Sequence, residues 1–371
     1  MKFNLTTSDL KKITEATAGV ISSNTVLPIL EDFLFSCKDR KLYVTATDLE
    51  TSIQTFINVD HDEDGMIAIP AKMLINFLKS LPDSTLHFET GDDNSIKIKA
   101  DTGKYKLVGE SGNDFPRIPV VDTDHRIDLT GSAFLRIIKK SLFAIGNDEL
   151  RPAMTGMFMN QHEGIIDFVC TDAHKLAHTI FTPSTVGQPF SFIVPKKALQ
   201  LLSSHIPNDE NNILIQYNEK QAFFSFGSYT LICRLVDARF PDFKSVIPVN
   251  PAHHVIINTN DILNTLHRIN IFSNRSTNQI SLTFTKNNVA AEAEDLDFST
   301  EATENLVCQY SGEEITLSFN GRWLADVISS LGTPEIKIMF DAPNRATTIN
   351  PMPQLPAEET LMLIMPIMIN S

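Results

Sequence analysis

A threefold recurrence constrains this chain more than any other feature of its sequence. The stretch Ile165–Pro207 reads as an apolar strand, a TDAHKLA turn, a second strand and a Pro-started amphipathic helix. The same grammar occurs earlier as LYVTATDLETSIQTF followed by MIAIPAKMLINFLKSLP, and later as VAAEAEDLDFSTEA followed by ITLSFNGRWLADVISSLG. The anchoring aspartates Asp48, Asp172 and Asp295 are spaced 124 and 123 residues apart. The helix-start residues Pro70, Pro195 and Asn320 step by 125 and 125, as do Phe115-Pro116, Phe240-Pro241 and Met365-Pro366. Three landmarks with one period imply tandem copies of a single domain. The expected boundaries are 1–121, 122–249 and 250–371.

Each copy carries two amphipathic segments among alternating apolar and polar runs. Apolar spacing and start signals predict helices over 8–21, 71–81, 132–145, 196–206, 261–273 and 321–331. In the second of these, Met73, Leu74, Phe77, Leu78 and Leu81 share one face. Runs such as LHFET, SIKIKA, ILIQY, AFFSF and IKIMF alternate with period two, as half-buried strands do. Short linkers, near Pro119–Asp124 and Pro248–Pro251, separate the copies. The expected class is therefore α+β, with two helices packed on antiparallel sheets in each of three domains.

With 371 residues, the chain accommodates three domains of ordinary size. Cys37, Cys170, Cys233 and Cys308 lie far apart with no CxxC pair, so buried free thiols in a reducing compartment are expected and a metal site is not. MKFNLTTSDLKK has no signal-peptide apolar core, and Leu361–Ile369 is too short to span a bilayer. The expectation is a cytoplasmic protein without a membrane partner.

The net charge of −14 argues against nucleic acid until its distribution is considered. The six predicted helices carry eleven basic residues against Asp9, Glu15, Asp261 and Asp326, a net of +7, which leaves −21 for the rest. Lysine at exposed helical positions is unremarkable in itself, but helices accept glutamate equally well and here it is nearly absent. Such segregation suits a polyanion gripped on one face and repelled elsewhere.

No catalytic constellation emerges. The chain has no P-loop, GxGxxG or GxSxG, and its 15 glycines never cluster. His174 and His178 have i,i+4 spacing but sit in a strand–turn pattern without the glutamate of HExxH, so hydrogen-bonded or surface roles are expected. The three anchoring aspartates recur symmetrically, which points to a turn role rather than to chemistry. No cofactor is implied.

The motifs resemble those of the bacterial DNA polymerase III beta subunit family, the replicative sliding clamps, along the whole chain. The residues that carry this resemblance are MKFNLTTSDL at the start, TVLPIL at 25–30, TDLE at 47–50, TDAHKLA at 171–177, RFPDF at 239–243 and LIMPI at 363–367. The resemblance implies a homodimeric ring: three domains per chain, two chains head to tail, twelve helices inside and sheets outside. Twelve helices spaced 8–10 Å apart trace a circle roughly 30–38 Å across, leaving a hole of roughly 20–30 Å, the width of a hydrated duplex. It also implies sequence-independent contacts to double-stranded DNA. Of the basic helix residues, Lys72, Lys196 and Lys197 match contact positions, Lys139 and Lys140 join them from the helix charge count, and Asn24 stands where arginine is usual.

The resemblance further implies a non-catalytic processivity factor that tethers the polymerase III alpha subunit, the clamp loader through its delta subunit, and other proteins bearing clamp-binding motifs. Their peptides would occupy a cleft of Met154, Thr171, Ala173, His174, Lys175, Leu176, Pro241, Val246, Asn320, Leu363, Met365, Pro366 and Ile367. A dimer seam is implied between Lys97, Lys104 and Lys106 of one chain and Ile271, Phe272, Glu301 and Glu304 of the other.

Overall fold

Alternating strands need partners on both sides, and in the computed structural model the copies supply them to one another. The structure describes residues 1–22, 27–123, 125–183 and 188–367. By internal contact the chain divides into two units, Met1–Leu135 with Lys197–Leu235, and Arg136–Lys196 with Val236 onward. The division passes through the second copy, so each unit joins a terminal copy to part of the central one.

In the first unit a nine-stranded sheet runs from Glu110–Ser111 to Arg126–Thr130. Strand Thr51–Asn58 of copy one pairs antiparallel there with Tyr229–Arg234 of copy two, with Ile53 opposite Leu231. In the second unit an eight-stranded sheet runs from Phe190–Pro195 to His253–Asn258. Strand Lys175–Phe181 pairs antiparallel there with Glu358–Ile364, with Leu176 opposite Leu363. A five-stranded sheet in copy one ends on Gly103–Val108, and a four-stranded sheet in copy three ends on Thr300–Val307. Among the described residues, each of these two edge strands has a single partner, Ser95–Ala100 and Asn288–Asp295 respectively.

The helices are α1 (Thr7–Ala18), α2 (Ala71–Ser80), α3 (Gly131–Ser141), α4 (Lys196–His205), α5 (Thr259–Ile269) and α6 (Gly321–Leu331). They match the six predicted segments and differ at the ends. Gly19 closes α1 before the apolar Val20 and Ile21, and a 3-10 turn at Leu142–Ala144 follows α3. α5 starts two residues before the expected 261, capped by Asn258, whose side chain accepts from the amides of Asn260 and Asp261. Buried Leu10, Leu74, Phe134, Leu202, Leu266 and Ile328 carry the helices onto the core.

The recurrent aspartates act as turn anchors. Asp48 Oδ1 accepts from the amides of Glu50 and Thr51, and Asp172 Oδ1 from those of His174 and Lys175. Asp295 Oδ1 accepts from the amide of Asp297. In the first two turns the following residue is left-handed, Leu49 at φ 77° and Ala173 at φ 75°. An L-residue pays a penalty there, which the doubly accepting carboxylate offsets. All four cysteines are free and buried, and burial pushes the Cys37 thiol up to about 11 and Cys233 up to about 12.

Asp32, almost fully buried, is pushed up to about 6 by burial and by neighbouring Glu110 and Glu31. Unfolded, the same carboxyl titrates near 3.8, so the folded state holds the extra proton and stability falls as pH rises through that window. Asp32→Asn is expected to stabilise the protein at pH 7 by ~2–3 kcal/mol, with the gain gone below about pH 4. Urea denaturation at the two pH values checks this; an equal gain at both would contradict it.

Candidate functional site

The strand pairing in the second unit creates a cleft beside the TDAHKLA turn. Beyond Ile364 the chain leaves the sheet, but the Met365 amide still donates to the His174 carbonyl at 2.9 Å, holding the terminal segment against the turn. The opposite wall is the segment from Val236 to Ile247, which lies over the sheet on an apolar cluster. Phe240 and Phe243 are buried there with Val169, Leu176, Ile193 and Leu363. Phe158 stacks on Phe240 at 4.6 Å between ring centroids.

Between these walls is a cavity of about 180 Å³. Ten of the thirteen expected cleft residues line it: Met154, Thr171, Ala173, His174, Lys175, Leu176, Pro241, Val246, Leu363 and Met365. Three do not. Asn320 is the cap of α6, its side-chain oxygen accepting from the amides of Arg322 and Trp323 at 3.1 Å and its nitrogen donating to the Thr277 carbonyl. Pro366 and Ile367 lie beyond the lining, with the Ile367 amide bound to the Ser318 carbonyl. Asp242 and Phe243 line the cavity and were not expected, although both belong to the RFPDF motif that signals this wall.

Polar groups at the cleft are fixed rather than loose. Lys175 is buried, donates from Nζ to Asp172 Oδ2 at 2.5 Å, and lies 4.8 Å from the Trp323 ring centroid. Burial raises the Asp172 carboxyl, but its bonds to Lys175 and the turn amides outweigh that and hold it below the usual range. His174 is exposed, with its ring 5.1 Å from that of Trp323. Behind the wall, buried Asp167 takes His178 Nε2 and His162 Nε2, each at 2.8 Å, and His178 meets Phe243 edge-on at 5.0 Å. The histidine pair is thus divided between a turn and a hydrogen-bonded strand position. Among the described residues, no group of three or more His, Cys, Asp or Glu side chains is placed to hold a metal ion.

The basic helix positions fall into three kinds. Lys72 on α2 and Lys139 on α3 are exposed. Lys196 is half-buried and donates to Asn147 Oδ1 at 2.8 Å, while Lys197 bonds Asp48 Oδ2 at 2.5 Å and the Val20 carbonyl at 2.9 Å. Lys140 contradicts its expected role: it is buried, with Nζ 3.7 Å from the buried Glu358 carboxylate, which also takes Arg136. One residue along a helix turns the side chain by about 100°, and in α3 that step separates exposed Lys139 from buried Lys140. Asn24 lies outside the described residues.

At the expected seam, Lys97, Lys104 and Lys106 are exposed, on the opposite sheet face from buried Ile96 and Ile98. Lys97 stands directly opposite Lys106, and Lys99 opposite Lys104. Ile271 is 78% exposed, and Phe272 and Glu301 are also exposed. Glu304 already has a partner in its own copy, accepting from Arg268 Nε at 2.7 Å and Thr265 Oγ1 at 2.9 Å.

The N-terminal, central and C-terminal domains of the DNA polymerase III beta subunit match residues 1–119, 128–242 and 244–367. The chain belongs to the DNA polymerase III beta subunit family. It is 28% identical over 355 residues to the beta sliding clamp of Synechococcus elongatus, covering 93% of each chain. It is 24% identical to the beta sliding clamp of Bacillus subtilis, covering 99% of each. In fold it is similar to a crystal structure of the sliding clamp from Pseudomonas aeruginosa, with TM-score 0.94, 24% identity and 100% of both chains covered. The beta subunit from Streptococcus pyogenes gives TM-score 0.95 at 22% identity, again over 100% of both chains. As a member of this family the chain is a sliding clamp of DNA replication, an accessory subunit without catalysis of its own. Among the described residues, no helix is long and apolar enough to cross a membrane.

The two lysines of α3 separate structure from function. Lys140→Ala is expected to cost roughly 1–3 kcal/mol of stability, because it removes one of two cations from a buried carboxylate and leaves Arg136 to hold it alone. Lys139→Ala is expected to leave urea denaturation unchanged and to weaken DNA binding. The reverse pattern would return Lys140 to the DNA-facing set.

Proposed function

We propose that two copies of this chain close head to tail into a ring around duplex DNA and present the cleft to short peptide motifs of partner proteins. The observation that carries the cleft reading is the convergence of ten expected residues on one cavity. Its lining is Met, Leu, Val, Pro and Phe with a few fixed polar groups, which suits an apolar peptide segment at low ordering cost. The polymerase III alpha subunit and the delta subunit of the clamp loader are the partners proposed for it, with other clamp-binding proteins in turn. The domain limits proposed are 1–121, 122–249 and 250–371.

Duplex DNA is held by phosphate-directed contacts from Lys72, Lys139, Lys196 and Lys197, while the acidic remainder of the chain repels it. Such contacts are blind to sequence and steep in salt. Topology rather than affinity then provides retention. The seam brings Lys97, Lys104 and Lys106 to Glu301, beside Ile271 and Phe272, while Glu304 buttresses it through Arg268. The proposed place of action is the cytoplasm.

Retention on DNA checks the ring. After loading, the protein is expected to remain on a nicked circle and to leave when that circle is linearised; indifference to topology would refute the proposal. Val246 is half-exposed at the cleft rim. Val246→Asp is expected to weaken a bound clamp-motif peptide at least about tenfold, by placing an unpaired charge in an apolar site, while leaving retention on circles intact. Calorimetry with the peptide checks it.

A further inference from the structure

The hairpin tip between strands Asn288–Asp295 and Thr300–Val307 exposes two large apolar side chains, Leu296 at 80% and Phe298 at 65%. Solvated hairpin tips ordinarily carry small or polar residues, and this one also holds Asp297 and Ser299. The tip is nevertheless built rather than loose. Asn274 Nδ2 donates to both Asp295 Oδ1 and Asp297 Oδ2 at 3.3 Å, and Thr300 Oγ1 donates to the Phe272 carbonyl at 3.4 Å. The Arg275 guanidinium lies 5.3 Å from the Phe298 ring centroid. These contacts lock the tip onto the segment after α5, whose exposed large apolar residues are Ile271 and Phe272. Two apolar pairs, contributed by different elements, are thereby tied together beside the free edge Thr300–Val307.

We propose that Leu296 and Phe298 extend the dimer seam, seating against the second copy of this chain beyond the end of its lysine-bearing edge strand. This rests on the head-to-tail reading above. The occupant is a second copy because the patch is continuous with the unpaired edge that this reading joins to Gly103–Val108. That strand ends on Val108, itself 67% exposed, which an antiparallel seam would set beside the start of Thr300–Val307. An edge held by charge alone is screened by salt, whereas an apolar lock at its end is not. The tip therefore supplies the salt-resistant part of closure, and the lysine and glutamate rows supply register.

The test is the dissociation constant of the full-length dimer, read by sedimentation over a dilution series at low and high salt. Leu296→Ser with Phe298→Ser is expected to raise it at least about tenfold at both salt concentrations, since losing an interface aromatic commonly costs that much. Glu301→Lys is expected to raise it mainly at low salt. Both variants change exposed residues, and unchanged circular dichroism and unfolding midpoint establish that the fold is intact. If Glu301→Lys and Ile271→Ser weaken the dimer while the Leu296/Phe298 variant does not, the seam stands and the extension is wrong. If none of the three matters, or the parent protein never dimerises, the head-to-tail reading fails and takes the extension with it. A normal dimer with impaired peptide or polymerase binding would also overturn the assignment, in favour of a partner-protein contact.

Discussion

Everything functional in the second unit depends on one run of antiparallel pairing, the register that sets Lys175–Phe181 against Glu358–Ile364. A one-residue slip of either strand would reverse the face of its side chains, removing Leu176 or Leu363 from the cleft. The pairing is protected from both sides. On one face Val169, Leu176 and Leu363 pack under Phe240 and Phe243; within the adjoining elements, Glu358 receives Arg136 and Lys140. The cleft is what remains where that sheet stops and the covering segment turns away. It is therefore rigid for reasons that have little to do with binding.

The same arrangement in the first unit has a different outcome. The position of Phe243 is taken there by Ile118, and the small cluster beneath the covering segment is Ile29, Ala68 and Phe115. Arg234 and Glu50 meet at 3.4 Å where the second unit has Met365 and His174. The covering segment of the first unit also borders a cavity, of about 700 Å³, lined by Phe115, Ile118, Val120 and Ile232, so the two joins share their turns and strand pairing and differ in the side chains that line them.

Much of this was legible from sequence, for identifiable reasons. Helices announce themselves through local signals, and the capping Asn320, the helix-start prolines and the amphipathic spacing of α2 all operate within a turn or two. The anchoring aspartates were readable because their partners are two and three residues away. What escaped were relations over long separations. Nothing near Lys140 in sequence reveals Glu358, and a helical charge count cannot tell a lysine aimed at solvent from one a step round the helix. Asp167 with His162 and His178 is likewise invisible until three strands are aligned. Asn320 shows the contrast within one residue: its capping bonds to Arg322 and Trp323 are local and readable, whereas its bond to the Thr277 carbonyl spans 43 residues and is not.

The lysine rungs of the edge sheet have a consequence beyond any single contact. Like charges directly opposite one another oppose strand pairing, and Lys97 with Lys106 and Lys99 with Lys104 make two such rungs at an open edge. Copy three has the mirror case, where Glu294 stands opposite Glu301. Neither edge can comfortably accept its own kind. An exposed strand is ordinarily an invitation to indiscriminate stacking into fibres, and here each edge instead bears the sign that turns away identical neighbours. Each edge thus carries its own electrostatic guard against pairing with an identical edge.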